Sequence, residues 1–338
     1  GGLKYLVSEV NKLGLRFGIW MEPEMVCPDS DLYRAHPDWA LKVPGRTPGY
    51  ARNQLVLDIT RPEVWDYCYG CIKDVLSSAN IEYLKWDMNR PLADIYSAGL
   101  PADRQGEFHY RYMLALYRMQ ERLISDFPEL LLENCSSGGG RYDAGTLFYS
   151  PQVWASDDTD AIERLKIQEG NMLIYPLSTI GAHVSDCPNH GNGRITPFDT
   201  RGNVALFGTF GYELDITKIS EDDRAMIPGQ IDLYHKYNDL IREGDYYRIA
   251  SFSENGEYDC WSVNAKDASE VLVAYVSVYS RMNRKGRIIR LQGLDPDRIY
   301  RIEGTKEQYY GDTLMNAGLQ VPEIKGDFRS KLIHLISC

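Results

Sequence analysis

Positive charge is scarce in this chain: its 338 residues carry 37 Lys and Arg against 48 Asp and Glu, a formal net charge of −11. A binder of phosphate backbones gains affinity by releasing counterions and needs the opposite sign, so no nucleic-acid partner is expected. No apolar run approaches the ~20 residues of a bilayer span, so no membrane partner is expected either. The chain is 43% hydrophobic and 25% charged, which excludes wholesale disorder. It has no repeat of 20–50 residues, no low-complexity linker, and no Gly-x-Gly-x-x-Gly fingerprint after any strand-like run. The seven cysteines (Cys27, Cys68, Cys71, Cys135, Cys187, Cys260 and Cys338) are odd in number and scattered in a chain too long to need staples. A reduced, cytoplasmic compartment follows as the expectation. There is no Met at position 1 and no signal peptide, and a helical pattern starts at once, as though the natural N-terminus had been cut away.

What the chain does have is 24 Tyr and 6 Trp against 9 Phe. Rings that are apolar on one side and hydrogen-bonding on the other suit sugars, although Tyr-rich cores and subunit interfaces have the same composition. Leu3, Leu6, Val7, Val10 and Leu13 recur at helical spacing, Gly14 stops that helix, and residues 15–22 read as a buried strand. The helix-then-strand unit repeats. Thr60-Arg-Pro-Glu63 fits a capping box with Pro in the first turn, opening a helix to about Ser78, and a strand over 81–87 follows. A helix over about 107–126 precedes a strand at 130–134. A short strand at 152–156, a helix from Asp160 to about Leu173, and strands at 179–184 and 212–216 complete the series, with 55–58 as a possible extra.

Six strands thus end in polar clusters, near Glu22, Asp87, Asn134, Asp157, Ser185 and Asp215. Strand and helix alternating at this spacing predict an α/β fold with a parallel sheet, here a (β/α)8 TIM-type barrel whose active site is assembled at the C-terminal strand ends. Six is two short of eight, so the first two strands are expected upstream of Gly1. Ser220 caps a last long helix to about Ile241. Beyond Gly244, short extended runs separated by Asn-Gly, Asp-Pro and Gly-Asp turns predict a small C-terminal antiparallel β-sandwich. The expected domains are therefore an incomplete barrel over 1–243 and a sandwich over 244–338.

In Tyr83-Leu-Lys-Trp-Asp-Met-Asn89 the strand period of two puts Lys85, Asp87 and Asn89 on one face, which in a barrel looks into the mouth. A cation beside Asp87 would keep it ionised, as a nucleophile requires, while the same spacing would also fit a plain strand-end salt bridge between Lys85 and Asp87. In Trp154-Ala-Ser-Asp157-Asp158-Thr-Asp160, Asp160 reads as a helix-start anion. The choice between Asp157 and Asp158 stays open, because crowding the two raises one pKa as a general acid needs. Two inward carboxylates on strands separated by one neighbour are able to reach the ~5–5.5 Å spacing of retaining glycosidases.

Other features have plainer readings. Cys68-Tyr-Gly-Cys71 has redox-motif spacing but lies mid-helix, which makes it packing. His183, Asp186, Cys187 and His190 lack tight ligand spacing, so no metal or cofactor is expected, and His183 reads as a hydrogen-bonder lining the mouth. Glu133 and Asp143 flank Gly138-Gly-Gly140, which disfavours a phosphate cradle.

Four ordered motifs, Phe17-Gly-Ile-Trp-Met-Glu-Pro-Glu-Met25, Leu84-Lys-Trp-Asp-Met-Asn-Arg90, Glu133-Asn-Cys-Ser-Ser-Gly-Gly-Gly140 and Trp154-Ala-Ser-Asp-Asp-Thr-Asp160, resemble the motif series of glycoside hydrolase family 36 α-galactosidases (melibiases). The resemblance is strong over about 1–247 and looser beyond. It implies a retaining double displacement on terminal α-galactosyl groups of melibiose- or raffinose-like oligosaccharides, with Asp87 as nucleophile and Asp157 as acid/base. By the same matching Trp20 bounds the sugar subsite, while Arg52, Lys85, Asn89, Cys135 and Gly138 contact galactose hydroxyls. A homo-oligomer, as a tetramer, is implied by family likeness. Members of the family also carry an N-terminal β-sandwich and two earlier barrel strands, the second ending in an Asp-Asp-Gly-Trp motif, which this sequence lacks. Three alternatives remain: galactosyl transfer through the same covalent intermediate, a catalytically incomplete sugar-binding fragment, and a metal-dependent barrel using Glu22, Asp87 and Asp157.

Overall fold

A computed structural model of the chain describes residues 1–283 and 286–338. These divide into two compact units, Gly1–Trp154 and Ala155–Cys338. In the first, the heptad-like apolar spacing forms helix α1 (Gly2–Lys12), and Gly14, at φ 76°, turns the chain into strand β1 (Gly18–Met21). A short hairpin of β2 (Met25–Val26), helix α2 (Asp31–Ala35) and β3 (Leu55–Val56) follows. β3 pairs antiparallel with β2, so the run at 55–58 is not a strand of the parallel sheet. Helix α3 (Pro62–Ser78) then leads to β4 (Tyr83–Trp86), α4 (Phe108–Asp126) to β5 (Leu131–Asn134), and α5 (Ala144–Tyr149) to β6 (Gln152–Trp154).

β1, β4, β5 and β6 lie side by side, all parallel, with Trp20 opposite Lys85 and Lys85 opposite Glu133. Leu84 and Trp86 point away from that row, into a core shared with Leu55, Val64, Phe108 and Leu116, all less than 1% exposed. This alternation places the polar members of β4 on the opposite face. One local expectation fails here. The N-cap of α3 is Arg61 with Pro62 in the first turn, and no side chain caps it. Thr60 gives its hydroxyl to Asp58 and Glu63 pairs with Arg61, so the capping box does not form.

The second unit continues the same alternation with α6 (Ala161–Met172), β7 (Ile180–Ser185), α7 (Phe198–Ala205), β8 (Thr209–Glu213) and the long helix α8 (Glu221–Glu243), capped by the Ser220 hydroxyl. β7 and β8 are parallel. β8 starts three residues earlier than the sequence pattern indicates. A Cβ on Gly211 would lie 3.0 Å from the His183 ring, so glycine here lets the neighbouring strand approach, and Asp215 falls in the following turn with Thr217 and Lys218.

Beyond α8 come β9 (Asp245–Ala250), α9 (Phe252–Asn255), β10 (Tyr258–Asn264), β11 (Glu270–Ser277), β12 (Arg287–Ile289), β13 (Ile299–Ile302), β14 (Gln308–Tyr310), α10 (Gly311–Asn316), β15 (Leu319–Val321) and β16 (Arg329–Ser337). They form a six-stranded antiparallel sheet ordered β14-β13-β16-β11-β10-β9 and a β12-β15 pair. One face packs Trp261, Leu272 and Val276 against Leu165 and Phe207, and the other packs Val271, Tyr300 and Leu335 against Leu314.

Asp259 on β10 is buried, and that burial, with the nearby Glu169 carboxylate, pushes its pKa up to about 7, although the Phe252 N–H (3.1 Å) opposes the shift. The folded state therefore holds this proton more tightly than the unfolded chain, so Asp259 costs stability as pH rises from its ordinary 3.8 toward 7. Asp259→Asn keeps an acceptor for Phe252 and removes the ionisation. Its stability advantage over wild type is expected to grow by on the order of 2 kcal/mol between pH 5 and pH 7.5 in urea titrations; an advantage that does not change with pH would contradict the assignment.

Candidate active site

The parallel register carries on past the ends of the strands. The Asp87 N–H donates to Met21 O (2.9 Å), the Cys135 N–H to Trp86 O (2.8 Å) and the Met88 N–H to Cys135 O (3.2 Å), which locks the C-terminal ends of β1, β4 and β5 together. Asp87 sits at the centre of this end. Its Oδ2 accepts Trp20 Nε1 (3.0 Å) and Asn89 Nδ2 (2.7 Å), and its Oδ1 accepts the Met88 N–H (2.8 Å). Burial by itself would raise its pKa, yet the donors, with the Cys135 thiol first among them, outweigh it and hold the carboxyl below its ordinary range. Trp20 stays half exposed beside this carboxylate, an apolar plate at its rim.

A second ring of groups surrounds the carboxylate. Asn89 Nδ2 also donates to Glu22 Oε1 (2.5 Å), and the same oxygen accepts Arg52 Nη1 (3.2 Å). Arg52 and Asn53 are in the left-handed region, at φ 51° and 59°, and the turn is fixed from behind by buried Arg90, which donates to the carbonyls of Gln54 and Gly49. On the β5 side the chain turns at Ser137 and Gly138, φ 47° and 83°. Ser137 Oγ donates to Asn89 Oδ1 (3.3 Å), and Ser136 Oγ to Met88 O (3.0 Å). Burial pushes the Cys135 thiol up to about 12, so it is a donor to Asp87 and not a thiolate.

Lys85 departs from the expected arrangement. Its ion pair crosses to Glu133 Oε1 on β5 (3.2 Å), and its ammonium lies 4.7 Å from the Trp154 ring centroid. Glu133 is 3% exposed, and its other oxygen accepts Tyr83 Oη and Gln152 Nε2 (3.1 Å). The strand-end salt bridge on β4 is thus replaced by one between strands, and neutral donors keep Asp87 ionised. Lys85→Met leaves Glu133 buried without its cation and is expected to cost about 2 kcal/mol. Adding Glu133→Gln should return part of that loss in a double-mutant cycle, and strictly additive losses would show that the pair is not coupled.

Two groups escaped the sequence reading. Glu22 was read only as a strand end and a metal ligand, yet it joins Arg52 to Asn89. Two residues on, Glu24 is 1% exposed and takes four donors: Arg141 Nη1 (2.6 Å) and Nη2 (2.8 Å), Trp86 Nε1 (2.8 Å) and Tyr112 Oη (2.6 Å). Arg141 ends the glycine loop after β5, so this pair pins the loop to the β1 end. Burial would raise Glu24, but Arg141 and the neutral donors outweigh it, and its pKa is lowered. The alternation of a strand would have signalled a common face for Glu22 and Glu24, but Pro23 breaks it.

The Asp157 turn belongs to the second unit. Asp157 and Asp158 are exposed, whereas Thr159 and Asp160 are buried. Asp158 Oδ1 accepts the Asp160 N–H (3.0 Å), a turn contact, and Asp160 caps α6 through the Ile162 N–H (3.3 Å). His183 lies 3.4 Å from Glu213. Among the described residues no group of three or more His, Cys, Asp or Glu is placed to hold a metal. Cys68 is buried in α3, and that burial pushes its thiol up to about 12, while Cys71 on the same helix is exposed, so the packing reading holds for Cys68 and not for Cys71.

The first unit thus presents an ionised carboxylate bounded by an indole, an amide and a thiol, with a guanidinium one step further out on Glu22. Residues 1–244 match the family described as Melibiase, and residues 258–335 match the Glycosyl hydrolase family 36 C-terminal domain. The chain is 50% identical over 334 residues to Alpha-galactosidase AgaA of Geobacillus stearothermophilus and 45% identical over 334 residues to Alpha-galactosidase Mel36A of Lactobacillus acidophilus. Those alignments cover 99% and 98% of this chain but 46% and 45% of the relatives, so it spans about half their length. The crystal structure of the Geobacillus enzyme superposes with a TM-score of 0.97 at 49% identity, over 100% of this chain and 47% of that one, and a variant of that enzyme has been solved with raffinose. The fold class follows: parallel strands of a (β/α)8 barrel and a C-terminal antiparallel β-domain. The chain belongs to the melibiase family of glycoside hydrolases and carries the family 36 C-terminal domain.

Proposed function

We propose that the protein is a retaining α-galactosidase that removes terminal α-D-galactosyl residues from melibiose- and raffinose-like oligosaccharides. The observation that carries this reading is the Asp87 carboxylate, held ionised by neutral donors at the end of β4. The names of its relatives supply the reaction. A variant of the Geobacillus enzyme solved with raffinose, and another solved with stachyose, supply the substrate class. In the first step Asp87 attacks the anomeric carbon, and the glycosidic bond breaks as Asp157 gives its proton to the leaving oxygen. In the second, Asp157 takes a proton from water, which attacks the same carbon, and the bond to Asp87 breaks. Asp158 is the second candidate for this proton, because the family likeness matches Asp157 and not Asp158 to the acid/base. Trp20 is assigned to the apolar face of the sugar, and Arg52, Lys85, Asn89, Cys135 and Gly138 to its hydroxyls. Residues 1–243 are assigned to the barrel and 244–338 to the C-terminal domain. No helix among the described residues is long and apolar enough to cross a membrane; the homo-oligomer implied by family likeness and the cytoplasmic compartment expected from the scattered cysteines belong to the same proposal.

A slowly turned-over fluorinated galactosyl fluoride tests the nucleophile. Incubated with the full natural chain, it should leave one galactosyl adduct on the peptide containing Asp87 in mass spectrometry. An adduct on any other carboxylate, or hydrolysis of raffinose with no adduct under any condition, would overturn the assignment.

A further inference from the structure

Asp160 is more than a helix cap. Its side chain is 2% exposed, and Oδ2 accepts both Arg194 Nη1 and Asn192 Nδ2 (2.8 Å) from the loop after β7. That loop is stitched to the Asp157 turn at further points. Asn189 Nδ2 donates to Thr159 Oγ1 (3.2 Å), and Ser185 Oγ donates to Thr159 O (2.9 Å). Arg194 is itself fixed, since its N–H donates to Asn192 Oδ1 (2.9 Å) and its carbonyl accepts the Asn189 N–H (2.9 Å). Its guanidinium also reaches Glu163 in the first turn of α6 (3.4 Å) and lies 5.4 Å from the centroid of the Phe328 ring. Phe328 enters β16 of the C-terminal sheet from a left-handed backbone (φ 55°), anchored by its N–H to Val278 O (3.3 Å).

We propose that Arg194 is a positioning residue for Asp157, and that through Phe328 it makes the C-terminal sheet part of the device that aims the acid/base. This rests on the reading of Asp157 as acid/base. Thr159 and Asp160, two and three residues after Asp157, are held by the end of β7 and the loop after it, so those contacts set the direction of the turn. A guanidinium suits the task, because its several N–H groups reach two carboxylates while the cation stays within cation–π range of the ring. An ammonium would keep the charge but lose the fork that reaches both carboxylates.

Leaving-group dependence tests this inference, because a proton donor matters for a sugar leaving group and little for a nitrophenolate. In the full natural chain, Arg194→Lys and Phe328→Leu are compared with wild type and Asp157→Ala on raffinose and on a nitrophenyl α-galactoside. Arg194→Lys is expected to lower kcat/KM for raffinose by roughly tenfold to a hundredfold and for the aryl substrate by about threefold or less. Phe328→Leu should move the two substrates apart in the same sense. In the Asp157→Ala background Arg194→Lys should add nothing on raffinose. Equal losses on both substrates, or no loss, would overturn the positioning role while Asp157→Ala keeps its leaving-group dependence. If Asp157→Ala itself shows no such dependence, the acid/base reading falls and the inference falls with it. Should Arg194→Lys fail to fold, Phe328→Leu, which leaves the ion pair in place, decides by the same comparison.

Discussion

Asp87→Asn is expected to lower kcat on an α-galactoside by about four orders of magnitude or more, on the scale of losing a covalent nucleophile. The amide is nearly isosteric, but it cannot form the galactosyl ester. It also replaces one acceptor with an NH2 donor, although Trp20 Nε1, Asn89 Nδ2 and the Met88 N–H all donate to this side chain. The protein should still fold, since Leu84, Trp86 and Met88, which flank Asp87 on β4 and just beyond it, remain buried. A melting temperature within a few degrees of wild type, with turnover gone, is the expected pair of results. Asp87→Asn retaining more than about a tenth of wild-type kcat would remove Asp87 from the nucleophile's role.

Glu24→Ala should have the largest effect on stability. It leaves the Arg141 guanidinium buried without its carboxylate and deprives Trp86 and Tyr112 of their acceptor, at a cost of about 3–5 kcal/mol. Glu24→Gln, which keeps one acceptor oxygen, should lose less. The sign of the pH dependence also follows. The folded pKa of Glu24 lies below its ordinary 4.5, so its contribution is fully present above pH 4.5 and fades as pH falls through the folded value. Chemical denaturation at pH 6 and pH 4 would register both effects. A Glu24→Ala loss below about 1 kcal/mol would mean that water or a neighbouring group replaces the carboxylate.

The parts of this site that could be read from the sequence are those set by short-range periodicity. Lys85, Asp87 and Asn89 share a face because a strand alternates, and Asp160 begins a helix because an acid precedes its first turn. The parallel strands were legible for the same reason, as were helices α1, α3, α4, α6 and α8. What periodicity could not supply was partner choice. Lys85 has Asp87 two residues away but pairs with Glu133, 48 residues on, because the β4–β5 register puts the two opposite each other. Glu24 finds Arg141 across 117 residues, and Arg52 finds Glu22 across 30. β8 was displaced because Gly211 carries no side chain to signal a strand, although its bareness is what admits the His183 ring. Asp160 was read correctly as a cap, but its second role depends on Arg194, 34 residues later.

The anomer of the first free galactose tests the central claim most directly. A proton NMR time course of the full natural chain with an aryl α-D-galactopyranoside separates α- from β-galactose before mutarotation mixes them. Two displacements at the same carbon, through an ester on Asp87, predict that α-galactose appears first. β-Galactose appearing first would mean a single displacement by water and would contradict a covalent role for Asp87.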